Sequence, residues 1–175
     1  MEAFCVSPIF LNMKRIGLLS DTHSCWDEKY VTYFSGCDEI WHAGDIGDIS
    51  IVERLERIAP LRAVSGNVDH GFVRQECPAM MKFKVEDVKV FMTHIGGYPG
   101  KYSPGIKKLL RENQINLFID GHSHILKVIY DNELNLLHIN PGAAGKQGWH
   151  NKRTIIRFVI DQENIIDLEV IELVG

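Results

Sequence analysis

Seven residues able to bind divalent metals recur along this chain, each closing an apolar run: Asp21, His23, Asp45, Asn67, His94, His122 and His124. Each has a plainer reading when taken alone. Asp21 after Ser20 resembles a helix cap, His94 a strand-end or core histidine, and His122 and His124 a surface turn. Their joint placement changes the reading. Competent donors at the ends of successive runs, with Gly44, Gly66 and Gly121 beside them, are hard to obtain by accident. The donors are carboxylate, imidazole and amide without thiolate, a set that suits manganese foremost, with zinc, iron, nickel or cobalt as alternatives. Asp-x-His and His-x-His put alternate side chains on one side of an extended segment, so each pair is expected to address one metal centre. Two carboxylates cannot neutralise two divalent ions, so the cluster keeps positive charge for a phosphate anion.

The surrounding pattern supplies the elements that must position these donors. Residues 15–20 read as a short buried strand ending at Asp21. A helix over 26–34 and a strand over 39–42 lead to Asp45. A helix over 50–58, opened by Asp48 as its cap, leads to a strand over 61–65 that ends at Asn67. This is a βαβαβ unit, which requires parallel strands. Runs at 81–85 and 88–93 form a hairpin ending at His94, residues 96–100 a loop, 104–113 a helix and 117–120 a strand before His122. Two further hairpins are expected at 125–130 with 134–140, and at 154–160 with 165–173. The expected architecture is one α/β domain of two packed sheets with helices outside. Its polar cluster falls at the carboxyl ends of the strands, where open α/β sheets bind ligands. Residues 1–12 read as a short extension, ordered or disordered, ahead of a single domain over 13–175, and Met13 is an alternative start.

Composition restricts the function further. The 175 residues are 45% hydrophobic and 24% charged, with net charge −4, as in an ordinary globular domain. That balance argues against extended nucleic acid or an anionic membrane as partner, since both favour a basic surface. A small anionic substrate is compatible with it because bound ions dominate a site's charge. A homo-oligomer also stays open. Cys5, Cys25, Cys37 and Cys77 have no close pairing, which fits free thiols in a reducing cytoplasm.

The ordered series Asp21-x-His23, Gly44-Asp45, Gly66-Asn67-x-Asp69, His94 and Gly121-His122-x-His124 resembles the calcineurin-like metallophosphoesterases, and within them the small YfcE-type phosphodiesterases. The resemblance implies a four-layer α/β/β/α fold of two mixed sheets with a dinuclear centre. It implies one ion on Asp21, His23 and His124, a second on Asn67, His94 and His122, and Asp45 bridging them. It also implies hydrolysis of a small or nucleotide-derived phosphodiester by a metal-bound hydroxide. A phosphomonoesterase on the same centre and a catalytically weak scaffold of the retromer-subunit type are the alternatives, with a nuclease disfavoured. Many relatives place a histidine where Val68 stands, so the acid for the leaving group is unassigned; His70 is the nearest substitute.

Other residues have weaker expectations. His42 is a candidate to orient Asp45 by a hydrogen bond, and Asp69 to fix the turn or a ligand. His138 is expected in packing, His150 in a substrate-facing loop, and Asn140-Pro141-Gly142 at the rim. Lys107, Lys108 and Arg111 read as solvated helix surface, whereas Lys146, Lys152 and Arg153 are better placed to meet a phosphate.

Overall fold

The computed structural model describes residues 13–174; the extension expected at residues 1–12 lies outside the described residues. Three strands open the fold, β1 (Lys14–Leu19), β2 (Glu39–His42) and β3 (Leu61–Ala63), separated by α1 (Lys29–Phe34) and α2 (Ile49–Glu56). Next come α3 (Gly71–Glu76), β4 (Met80–Val85), β5 (Val88–Thr93) and the short strands β6 (Gly97–Tyr98) and β7 (Lys101–Tyr102). The chain finishes with α4 (Ile106–Glu112), β8 (Leu117–Ile119), β9 (Lys127–Asp131), β10 (Leu136–Asn140), β11 (Thr154–Asp161) and β12 (Asn164–Glu172).

Two five-stranded sheets result, ordered β12-β11-β1-β2-β3 and β4-β5-β8-β10-β9. β1, β2 and β3 pair in parallel, as do β5, β8 and β10, while the flanking pairs are antiparallel. Both sheets are therefore mixed, as expected. The side-chain period of two divides the core between layers. In β1, Ile16 and Leu18 enter the core between the sheets while Leu19 packs toward the helices. In β8, Leu117 and Ile119 face the same inter-sheet core, and Phe118 faces Ile106 and Leu110 of α4. Three apolar layers thus separate α1–α3, the first sheet, the second sheet and α4. The inter-sheet layer is anchored by Trp41, which is fully buried with ring centroids 5.0 Å from Phe83 and 5.6 Å from Phe158.

Among the four helices described, one is opened by a side-chain cap. Asp48 caps α2 by accepting from the Ser50 N–H at 2.9 Å, which satisfies one of the free donors of the first turn. α1 is shorter than the 26–34 segment that its apolar spacing suggests. The helix α3 was not foreseen because it buries only Val73 and so lacks an amphipathic period. Residues 96–100, expected as a loop, contribute instead to the tight β6–β7 hairpin. Cys25, Cys37 and Cys77 are free thiols. Among the described residues no helix is long and apolar enough to cross a membrane.

Candidate metal centre

The loops after β1, β2, β5 and β8 bring six of the expected donors into two groups: Asp21, His23 and His124, and Asp45, His94 and His122. Within each group the donor atoms all lie within 4.8 Å of one another. Asp45 stands between them, with its Oδ2 3.8 Å from His23 Nε2 and 3.2 Å from His94 Nε2. Asp21 Oδ1 is 3.1 Å from His124 Nε2 and 3.9 Å from both His23 Nε2 and His94 Nε2. Asn67 is exposed on the loop after β3, next to Val68, whose N–H donates to Asp45 Oδ1 at 3.0 Å.

The manner of delivery differs from the extended-segment expectation. Asp21, His23, Asp45, His122 and His124 all have left-handed backbone, with φ between 46° and 64°. Such conformations are costly for residues with a side chain and collect at functional sites. His122 and His124 consequently do not share one group: the turned backbone sends their imidazoles to different groups. Asp21 and His23 do share one. Glycine is required where these turns press together. At Gly44, φ is +97° and a Cβ would stand 2.6 Å from His94 Nδ1; at Gly66 a Cβ would overlap the Asp45 carboxylate.

Protonation geometry decides what the groups can hold. His94 Nδ1 donates to the Ala43 carbonyl at 2.8 Å, because a carbonyl only accepts. In the neutral imidazole, Nε2 is then a lone pair aimed at the two carboxylates. That atom and Asp21 Oδ1 are both buried and have no hydrogen-bond partner. A lone pair against carboxylates is stable only with a cation or a proton between them. Burial opposes charge on His94, but Asp45, Asp21 and the Ala43 carbonyl outweigh it and raise its pKa. Asp21 likewise raises His124. His23 moves the other way, lowered by burial. His23 Nε2 and His124 Nε2 lie 3.3 Å apart beside Asp21. This donor set fits divalent ions: imidazole nitrogens and carboxylate oxygens converge, two of them unsatisfied, with no competing thiolate.

The supporting residues hold the loops and not the donors' own tips. His42 does not bond Asp45, contrary to expectation. It is fully buried, which lowers its pKa to about 4, and its neutral ring accepts from the Gly44 N–H at 3.2 Å. Its Nε2–H donates to Thr22 Oγ1 at 2.9 Å, and the Thr22 hydroxyl donates onward to the Ile46 carbonyl at 3.0 Å. His42 therefore ties the Asp21 turn to the Asp45 turn. Asp69 accepts the N–H groups of Ile46, Gly47 and Gly66 at 3.1, 2.8 and 2.7 Å, which locks the Asp45 loop against the Asn67 loop. Asp69→Ala would leave these three donors without their acceptor, at a cost of about 3 kcal/mol. Its melting temperature is expected to drop by about 6–12 °C. A calorimetric scan showing a change under ~2 °C would contradict that role.

Further supports go beyond what the sequence suggested, and two of them, Arg74 and Asp120, had no signal of their own. Arg74 donates to the carbonyls of Asp69 and Gly66 from α3, an element the periodicity missed. Asp120 and His138 form a buried pair at 2.9 Å, so His138 does more than pack. Burial raises the Asp120 pKa despite the bonds from His138 and Asn140. Asn140 donates to Asp120 at 3.0 Å and to the Gly121 carbonyl at 2.6 Å, which pins the loop carrying His122 and His124.

Other expected residues fall around the centre unevenly. His70 Nδ1–H donates to the Val68 carbonyl at 3.0 Å, and His70 shares a cavity of about 350 Å³ with His23, Ser24 and Gln147. His150 packs its ring against His124 at 5.2 Å and donates to the Gly145 carbonyl. Lys152 and Arg153 are engaged by Glu172 and Asp27. Lys107 and Arg111 both pair with Glu133, and Lys108 with Glu112, away from the centre.

Comparison with known proteins identifies the family and the fold. The model of the calcineurin-like phosphoesterase superfamily domain matches residues 13–163. A probable metallophosphoesterase of Methanothermobacter thermautotrophicus is 31% identical over 135 residues, covering 73% of this chain and 76% of its own. Among solved structures, Entamoeba histolytica Vps29 complexed with Zn²⁺ has a TM-score of 0.71 at 14% identity, covering 90% of this chain and 98% of that one. A predicted phosphoesterase from Streptococcus pneumoniae has a TM-score of 0.62 at 18% identity, covering 91% and 98%. These structures share the fold, and the family model and the sequence relative together carry the assignment: the chain belongs to the calcineurin-like phosphoesterase superfamily, a family of metallophosphoesterases.

Proposed function

We propose that this metallophosphoesterase is a phosphodiesterase using two divalent ions, manganese foremost, on a small or nucleotide-derived phosphodiester. The observation that carries the reading is His94 Nε2. It is buried and unpartnered, with its tautomer set by Ala43, and it lies 3.2 Å from Asp45 and 3.9 Å from Asp21. Asp21, His23 and His124 would hold one ion and His94, His122 and Asn67 the other, with Asp45 between them. Ions held there would supply Lewis acidity and an activated water. Entamoeba Vps29, which shares the fold, has been crystallised in complex with Zn²⁺, which is compatible with divalent-ion binding by this architecture.

The choice of a diester rests on the resemblance to the small phosphodiesterases; what the loop beside Asn67 lacks bears on the leaving group. Val68 is 41% exposed there and cannot deliver a proton. His70 Nδ1–H bonds the Val68 carbonyl, and its Nε2, though in the cavity shared with His23, makes no hydrogen bond to any donor of the centre. Without a positioned acid, the leaving group must depart as its anion, so the rate depends on how well that anion is stabilised. Bis(p-nitrophenyl) phosphate is expected to turn over at least about tenfold faster than p-nitrophenyl phosphate when both are assayed across manganese, zinc, iron, nickel and cobalt. Across substituted aryl diesters the rate should fall steeply as leaving-group pKa rises. Dominant monoesterase activity would overturn the substrate class, and a flat leaving-group dependence would show that an acid is present. A metal-loaded protein inert to both esters would favour the scaffold reading.

A further inference from the structure

We propose that the cavity beside His122 is a substrate subsite in which Lys127 binds a second anionic group, a phosphate or carboxylate borne by one arm of the substrate. This rests on the phosphoesterase reading for the identity of the ligand but on separate residues for the site. The cavity has a volume of about 190 Å³, and its wall includes His122, Ser123, Gly97, Tyr98, Ser103 and Lys127. It is below the ~300–1,000 Å³ of clefts that enclose whole drug-sized ligands, so it admits a fragment of a substrate. Because His122 belongs to the metal centre, a fragment seated here is continuous with a phosphate held there.

Lys127 sets the chemistry. Its Nζ lies 3.4 Å from the centroid of the Tyr98 ring, and among the described residues it makes no ion pair. It is half-buried at the start of β9. Lys152 and Arg153, which the sequence favoured to meet a phosphate, are already paired with Glu172 and Asp27, and the helix lysines and Arg111 have carboxylate partners of their own. The ring fixes the ammonium by a cation–π contact without cancelling its charge. The other charged group in the wall, Asp120, is already committed to His138, Asn140 and the Gly96 N–H. The remaining surface is largely the Tyr98 ring, Ile95 and glycine backbone, which lowers the local dielectric and strengthens an ammonium–anion contact. Tyr98 itself is placed by the β6–β7 hairpin, directly after His94 in the chain, so one segment links a metal donor to the subsite wall.

The test reads binding without turnover. Metal-loaded protein is titrated calorimetrically with methylphosphonate and with phosphonoacetate, which adds a carboxylate to the same phosphonate. Phosphonoacetate should bind about tenfold more tightly to the wild type, the scale of one charge-assisted contact. That gap should close in Lys127→Ala and Lys127→Gln and persist in Lys127→Arg. Equal affinities in the wild type, or a gap surviving in Lys127→Ala, would overturn the subsite. A protein that shows the gap but hydrolyses no phosphoester would sink the phosphoesterase reading and leave the subsite standing. An active enzyme without the gap would do the reverse.

Discussion

Asp45→Asn is expected to reduce turnover of an aryl phosphodiester by about 10³-fold or more and to lower the bound metal content at both positions. The magnitude follows from charge. One carboxylate interacting with a divalent neighbour at about 4 Å contributes roughly 4 kcal/mol per unit charge at an effective dielectric near 20, equivalent to about three decades in affinity. The substitution is nearly isosteric, and an asparagine oxygen can still accept the Val68 N–H that Asp45 Oδ1 holds at 3.0 Å. Fold and loop position should therefore survive while the charge between His23 and His94 is lost. The check is kcat/KM on bis(p-nitrophenyl) phosphate beside metal content by elemental analysis, with circular dichroism as the folding control. Full activity in a folded Asp45→Asn protein would remove Asp45 from the centre.

Stripping divalent ions should abolish turnover and also lower the melting temperature, with a pH dependence of definite sign. Ions present at about 100 times their dissociation constant stabilise by roughly 2.7 kcal/mol, or about 5–10 °C for a chain of this size. In the metal-free protein, the raised pKa values of His94 and His124 favour protonated rings beside Asp21 and Asp45. A group raised in the fold contributes stability fully below its unfolded value of about 6.5, and loses it as pH rises through the folded value. Metal binding must displace those same protons, so it strengthens as pH rises. The gap between metal-loaded and chelated melting temperatures should consequently widen from pH 6 to pH 8. His23, whose pKa burial lowers, competes less for protons than His94 and His124 do. Scanning calorimetry with and without a chelator measures the gap directly. A gap that shrinks with rising pH would contradict proton–metal competition at these histidines.

Much of the frame was legible because it depends on short-range pattern. Short apolar runs such as Val88–Thr93 and Glu39–His42 match their strands to the residue, since segments buried on both faces stand out by composition between polar turns. Asp48 announced α2 because a cap acts on an N–H two residues away. The helix α3 escaped notice because one buried residue makes no period, and with it Arg74 escaped as a brace of the Asn67 loop. His42 was correctly placed beside the centre but assigned the wrong contact: its partners are Thr22 and the Gly44 N–H. Lys127 resembled any strand lysine until Tyr98 lay under it.

The sequence by itself determined which donors exist, in what order they come, and that each follows a strand; these are properties of residue type and of local period. The family resemblance already implied how the donors divide; only the tertiary structure decided by what backbone geometry they do so and which of their atoms are free. His122 and His124 are two residues apart, yet left-handed backbone sends them to different groups. His94 offers Nε2 because Ala43, 51 positions earlier, occupies Nδ1. The His122 N–H reaches Asp21 Oδ2 across 101 positions. Contacts of that span arise from the packing of two sheets and carry no trace in any local pattern, so the chemistry of the donors could be read along the chain but their geometry could not.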